Sequence, residues 1–409
     1  MSKTLSAFRY INEYTAVLLA TVFVSGFLVI GSRDLHTNIL YATFVFGLIV
    51  YWRTLFNLIK IDKTIQLLLI FLSVIVLSHA WSQNPDIESF YNQIRRALFI
   101  PLFAMIFACA WGSKYQTRFI ISVFLNSLCL IVLAVALYYQ HEAELIFRQR
   151  LTNELSYYGT GPIRAAAPFL LCFCLSLCVL SERKNLATVT NATASLLISF
   201  PFIILSGSRG LALGIVLAIF SYFFYKKHFL STFFIGIISI IFFMLWDITH
   251  GSAHIFERFD NARFDIWIAT VERIRESLIF GEGLGMPTII DYAGTDIGSP
   301  HNIFLTAGLN AGLIGIFFLS VLFSFLIYRC VKLQGSGFPA PAIICTASFP
   351  QLLLTVHDIV GRPDPHLWLF FVMPLAILTA YTLIEKETNN RNFSKTDSCN
   401  QAPDNRYAR

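Results

Sequence analysis

The chain has 409 residues, 56% of them hydrophobic and 13% charged, with 40 phenylalanines, a mean hydropathy of +0.66 and a formal net charge of +6. A soluble domain carries about twice that share of charge. The composition therefore excludes an ordinary water-soluble protein, and no nucleic-acid partner is expected.

Apolar runs of about 17–25 residues, each long enough to cross the hydrocarbon core as a helix, recur from end to end. The expected fold is an all-α polytopic membrane protein of about twelve transmembrane helices. They fall near 14–30, 38–52, 64–81, 97–111, 118–139, 165–180, 187–206, 210–225, 229–248, 302–328, 338–357 and 366–384. The first run, YTAVLLATVFVSGFLVI, is long and lacks a small-residue cleavage site, so it reads as a retained helix. The expected division is helices one to nine over 1–248, one large periplasmic loop over 249–300, helices ten to twelve over 301–385, and a polar cytoplasmic tail over 386–409.

Lysine and arginine orient the bundle. With both termini cytoplasmic, RTLFNLIKIDK, SERKN, YKKH, YRCVK and the tail fall inside, and so do most of the 30 basic residues. Every lysine then lies on the inner side, and every basic residue of the outer segments is an arginine. A planar, weakly hydrated, bidentate cation suits phosphate and carboxylate. Drift between the two basic types, with arginines snorkelling at helix ends, would leave the same pattern, and both readings stand at this point. The 8 cysteines lie in expected spans or on the inner side, so no disulfide framework is implied.

Two outer loops are long, about 140–164 and 249–300. Within the second, NARFDIWIATVERIRESLIFGEGLG places Phe264, Trp267, Ile268, Val271, Ile274 and Leu278 at helical spacing. This predicts an amphipathic helix, capped by Asp260 or Asn261, that lies on the membrane surface or roofs a cavity. The spans carry no charge deep inside, which argues against an ion-driven transporter and places function at the outer interface.

Four residues stand at the outer ends of spans: Arg164 in GTGPIRAAAPF, Arg209 in the tight turn SGSRG, Arg263 at the start of the amphipathic helix, and His301 in GSPHNIF. Arg95 and Arg96 read as interface anchors with a supporting electrostatic role open to them. His250 and His254 are spaced i,i+4 but have no visible third metal ligand. His357, Asp358 and His366 surround GRPDP, where a hinge or helix-end role is expected.

His301, Asn302, Gly312 and Gly315 fit the pattern His-(Asn/Ser/Gln), nine residues, Gly, two residues, (Gly/Thr/Tyr), and RGLAL at 209–213 fits Arg, three residues, Leu. With about twelve spans and one large outer loop before the histidine-bearing helix, the chain resembles the O-antigen ligase family, within the O-antigen ligase and polymerase superfamily. Some ligases carry a second histidine two positions before the motif; here that position is Ser299.

The resemblance implies a membrane glycosyltransferase on the periplasmic face of the bacterial inner membrane. It would move a polysaccharide from undecaprenyl diphosphate to a sugar hydroxyl of lipid A–core, without a metal or other cofactor and with inversion. It implies His301 as general base, Arg209, Arg263 and Arg164 as diphosphate clamp, Asn302 as an orienting or sugar-binding group, and Gly312 and Gly315, with Gly308, as sites of close packing. An O-antigen polymerase, a protein O-oligosaccharyltransferase with a larger soluble domain, and a lipid-linked oligosaccharide flippase are the rivals.

Overall fold

The structure, a computed structural model, describes residues 2–82, 86–112, 114–142, 150–228, 262–285, 290–292 and 295–400. Its helices in chain order are α1 (Ser2–Val29), α2 (Arg33–Ile61), α3 (Lys63–Leu77), α4 (Ile87–Trp111), α5 (Tyr115–Glu142), α6 (Pro162–Glu182), α7 (Leu186–Leu205), α8 (Arg209–Tyr225), α9 (Ala262–Glu276), α10 (Ile303–Gly335) and α11 (Ala340–Leu354). The turn Pro365–Leu367 and a π-helical segment, Trp368–Val372, lead into α12 (Met373–Asn400). A hairpin pairs β1 (Ile290–Tyr292) with β2 (Thr295–Ile297), Ile290 opposite Ile297.

Among the described residues, 8 helices are long and apolar enough to cross a membrane, and Val17–Val29, Arg209–Tyr225 and Ala340–Leu354 are shorter apolar segments. The expected span at 229–248 lies outside the described residues, as do His250, His254, Asp260 and Asn261. The expected inner loop at 53–63 is mostly helix. Asp62 breaks it and caps α3, its carboxylate accepting from the Ile65 amide at 2.9 Å.

Helix α6 is among the most enclosed and packs on α5, α7, α8 and α11. Its small residues, among them Ala165, Ala166, Ala167, Cys172 and Cys178, are buried and let the neighbouring backbones approach. A polar network ties α5, α6 and α7 together. Asn126 donates to Ser176 at 2.8 Å and to Asn191 at 2.9 Å, and Ser195 donates to Asn126 at 2.8 Å. With no water in a bilayer core, such groups must satisfy one another. Arg118 and Glu182 pair at 2.8 Å at the start of α5 and the end of α6, which is the end of α6 away from Arg164.

One feature of α10 positions the candidate site. Its helical path breaks at Ala311 and Gly312, with Gly312 at φ 59°. The segment after α9 docks into this break through its backbone: Leu313 donates to the Leu278 carbonyl at 2.8 Å, and Glu282 donates to the Leu309 carbonyl at 2.7 Å. A Cβ on Gly312 would lie 2.4 Å from the Ile279 carbonyl oxygen. Glycine is thus demanded here by left-handed backbone and by backbone-to-backbone approach.

The helix predicted in the long loop is α9, but its buried face differs from the expected one. Ile266, Thr270 and Ile274 face the bundle, whereas Phe264, Ile268, Val271 and Leu278 are exposed. The protein-facing side needed only a narrow stripe, because Ile274 seats against Gly308 of α10. The larger apolar face points outward, as suits a helix lying at a lipid interface.

Candidate active site

Arg209 is the first residue of α8, immediately after a turn in which Gly207 takes φ 66°. It lines a cleft of about 200 Å³ together with Arg150, Arg263, Gly207, Ser208 and Thr355. Two of the three expected clamp residues, Arg209 and Arg263, therefore meet in one cleft. Burial pulls the Arg263 pKa below the usual arginine value, although a guanidinium stays charged at neutral pH.

Arg150 was not among the expected residues. It stands in the first long loop without a motif. The Leu151 amide, donating to the Leu205 carbonyl at 2.9 Å, pins that loop to the end of α7. The Arg150 Nε then lies 3.1 Å from where a Cβ on Gly207 would be.

His301 sits at φ 52°, a left-handed conformation rare outside glycine and costly for an imidazole-bearing residue. Three contacts hold it there. Its amide donates to Ser299 Oγ at 3.1 Å, and Ser299 Oγ donates to the His357 carbonyl at 3.2 Å. Trp267 Nε1 of α9 donates to the Pro300 carbonyl at 3.0 Å. Asn302 caps α10, its Oδ1 accepting from the Phe304 and Leu305 amides at 2.9 and 3.2 Å. That oxygen is committed to the helix start and is not directed at the imidazole.

The rings of His301 and His357 meet edge to face, with Nδ1 atoms 3.3 Å apart and ring planes at 86°. On the far side of His357, Arg164 reaches Nε2 at 3.3 Å and the Asp364 carboxylate lies 3.8 Å away. Arg164 also pairs with Asp364 at 3.4 Å. Arg164 therefore belongs with the histidines and lies apart from the Arg209 cleft. A guanidinium only donates, so His357 Nε2 accepts, His357 carries its proton on Nδ1, and His301 Nδ1 accepts from it. Ser299 stands two positions before His301, and a second histidine, His357, faces His301 from another element.

Burial pushes the His301 pKa down to about 4, helped by His357, Arg263 and Arg164 and opposed by a backbone hydrogen bond to Thr355. The imidazole is neutral at pH 7, and its Nδ1 lone pair accepts from His357. Burial opposes ionisation of Asp364, but the adjacent His357, His366 and Arg164 outweigh it and hold the carboxyl below the usual carboxylate range.

The expected helix-end role of the GRPDP segment also holds, since Asp364 caps the following turn by accepting from the His366 amide at 2.9 Å. Among the described residues, no group of three or more His, Cys, Asp or Glu side chains has the geometry of a metal site.

Fold and site together define a polytopic helical membrane protein. At one end of its bundle is a cleft bearing three arginines beside a pair of facing histidines. Residues 194–320 match the family model described as O-antigen ligase, and this match supports assigning the chain to the O-antigen ligase family. The matched segment contains Arg209, Arg263, His301, Asn302, Gly312 and Gly315, while Arg150, Arg164, His357 and Asp364 lie outside it. No curated protein matches the chain.

Proposed function

We propose that the protein is an O-antigen ligase that transfers a glycan from undecaprenyl diphosphate to a hydroxyl of lipid A–core at the periplasmic face of the inner membrane. The observation that carries this reading is the adjacency of a three-arginine cleft and a neutral histidine. One can hold a diphosphate leaving group and the other can accept a proton. Thr355 joins them: it lines the cleft, and its backbone hydrogen-bonds His301.

Arg209, Arg263 and Arg150 grip the diphosphate. Each charge-assisted hydrogen bond contributes roughly 1.5–3 kcal/mol. The acceptor hydroxyl replaces the His357 N–H as donor to His301 Nδ1. As its oxygen attacks the anomeric carbon, the proton passes to His301, the bond from that carbon to the diphosphate oxygen breaks, and the leaving group departs with its electron pair. One displacement inverts the anomeric centre. Asp364, one imidazole away, offsets the positive charge that develops on His301, and Arg164 keeps Asp364 and His357 in place.

Lipopolysaccharide gels of a deletion strain test the assignment. A ligase predicts loss of the polymer ladder while carrier-linked polymer accumulates. Loss of long chains with one repeat unit still attached would assign the protein as a polymerase instead, and an unaltered ladder would contradict both.

A further inference from the structure

We infer that Arg33, Arg95, Arg96 and Arg362 form a second anion-binding site, separate from the Arg150–Arg209–Arg263 cleft, that takes the phosphorylated saccharide headgroup of the membrane-anchored acceptor. This rests on the transferase reading above for the word acceptor; the site itself rests on geometry.

Two adjoining cavities carry these arginines. One of about 230 Å³ is lined by Arg95, Arg96 and Arg362, and the other, about 160 Å³, by Arg33, Arg362 and His357. They share Gly361 and Arg362, and the second opens onto the histidine that faces His301. The histidine pair is thus flanked by two arginine-lined clefts. A transferase that joins two anionic lipids needs one for each.

The charge balance of this region favours an external anion. The carboxylates lining the two cavities are Asp34, Asp358 and Asp364, and Asp364 is engaged by Arg164 and His357. Asp358 attracts Arg96, but among the described residues none of the four arginines has a carboxylate within 4.0 Å. Four guanidinium charges therefore face two uncommitted acids.

Two of the arginines are preoriented. Arg33 lies over the Tyr157 ring at 5.9 Å and Arg95 over the Tyr41 ring at 5.7 Å, which fixes the guanidinium plane before a ligand arrives. The Arg33 Nε is buried with no hydrogen-bond partner, a donor that a bound phosphate or carboxylate oxygen would satisfy. Surface anchoring alone does not account for a buried, unpartnered donor.

The test uses the purified full chain in phosphatidylcholine nanodiscs, and the probes are lipid A–core carrying its phosphates, the same glycolipid after phosphatase treatment, and inorganic phosphate. The wild type is expected to bind the phosphorylated glycolipid at least tenfold more tightly than the dephosphorylated one. The double variant Arg95→Gln/Arg362→Gln, both exposed positions, should lose that preference while binding carrier-linked donor as the wild type does.

Arg209→Gln should keep the preference. Equal wild-type affinity for the two glycolipids, or equal loss of both in the double variant, would overturn the proposal. So would displacement by inorganic phosphate at concentrations near the glycolipid's own Kd, since the site would then serve the free ion. Binding is read without turnover. A wild type that shows the preference yet transfers nothing would contradict the transferase reading and leave this site standing.

Discussion

Two imidazoles that face each other through Nδ1 atoms 3.3 Å apart cannot both be protonated there without losing their hydrogen bond. Arg164 decides which nitrogen accepts, and burial, with the nearby Arg263 and Arg164 guanidiniums, decides that His301 stays neutral. The kinetic consequence has a definite sign. The unprotonated form is the active one, so kcat/KM should rise with pH through the free protein's His301 pKa, at about 4, well below an ordinary histidine at about 6.5. The bound diphosphate brings negative charge close to Arg263 and His301, so the limb in kcat should move upward from that value. Arg263→Gln, by removing one depressing charge, should raise the limb in kcat/KM. A free-protein limb at 6.5 in the wild type, unmoved in Arg263→Gln, would contradict the electrostatic account of His301.

At the scale of elements, the site is held by two devices that join distant parts of the chain. The break in α10 accepts the backbone of Leu278–Gly283, and Trp267 of α9 holds the loop that carries His301. Both fix α9, and α9 carries Arg263. Gly312→Ala should therefore act beyond its own position: a left-handed residue gains roughly 1–3 kcal/mol of strain, and its Cβ would press on the Ile279 carbonyl at 2.4 Å. The expected result is a lower melting temperature of the purified protein together with reduced transfer. Gly335→Ala, at a helical position with nothing within 4 Å, should change neither. Equal behaviour of the two variants would show that the break does not hold the site.

At the scale of the whole molecule, the bilayer made the fold legible in the sequence. A spanning helix must be long, apolar and internally hydrogen-bonded, and each expected span within the described residues lies on an apolar helix. Helix ends were less legible, because α2 continues through Arg53 and Lys60 and α4 begins before Arg95. Within the site, Arg209, Arg263 and His301 were visible because each stands at a helix start inside a recognisable pattern. Arg150 and His357 were not, since their places depend on how a loop packs on α7 and how α11 ends beside α10. The expected orientation remains a proposal, and cysteine labelling with a membrane-impermeant reagent in a cysteine-free background tests it. Intact cells should label at Ser252 and not at Ser394; labelling at Ser394 would invert the bundle.

The central claim is that His301 removes the acceptor proton beside an arginine-held diphosphate. The direct measurement is single-turnover transfer from carrier-linked donor to lipid A–core by purified wild type and His301→Gln, with donor binding measured on the same samples. Glutamine keeps a hydrogen bond but accepts no proton at neutral pH. The account predicts unchanged donor binding and a transfer rate lowered by about 10²–10⁴-fold, the usual contribution of general-base catalysis. Transfer by His301→Gln within a few-fold of wild type would contradict it and reduce His301 to a residue that only positions the acceptor.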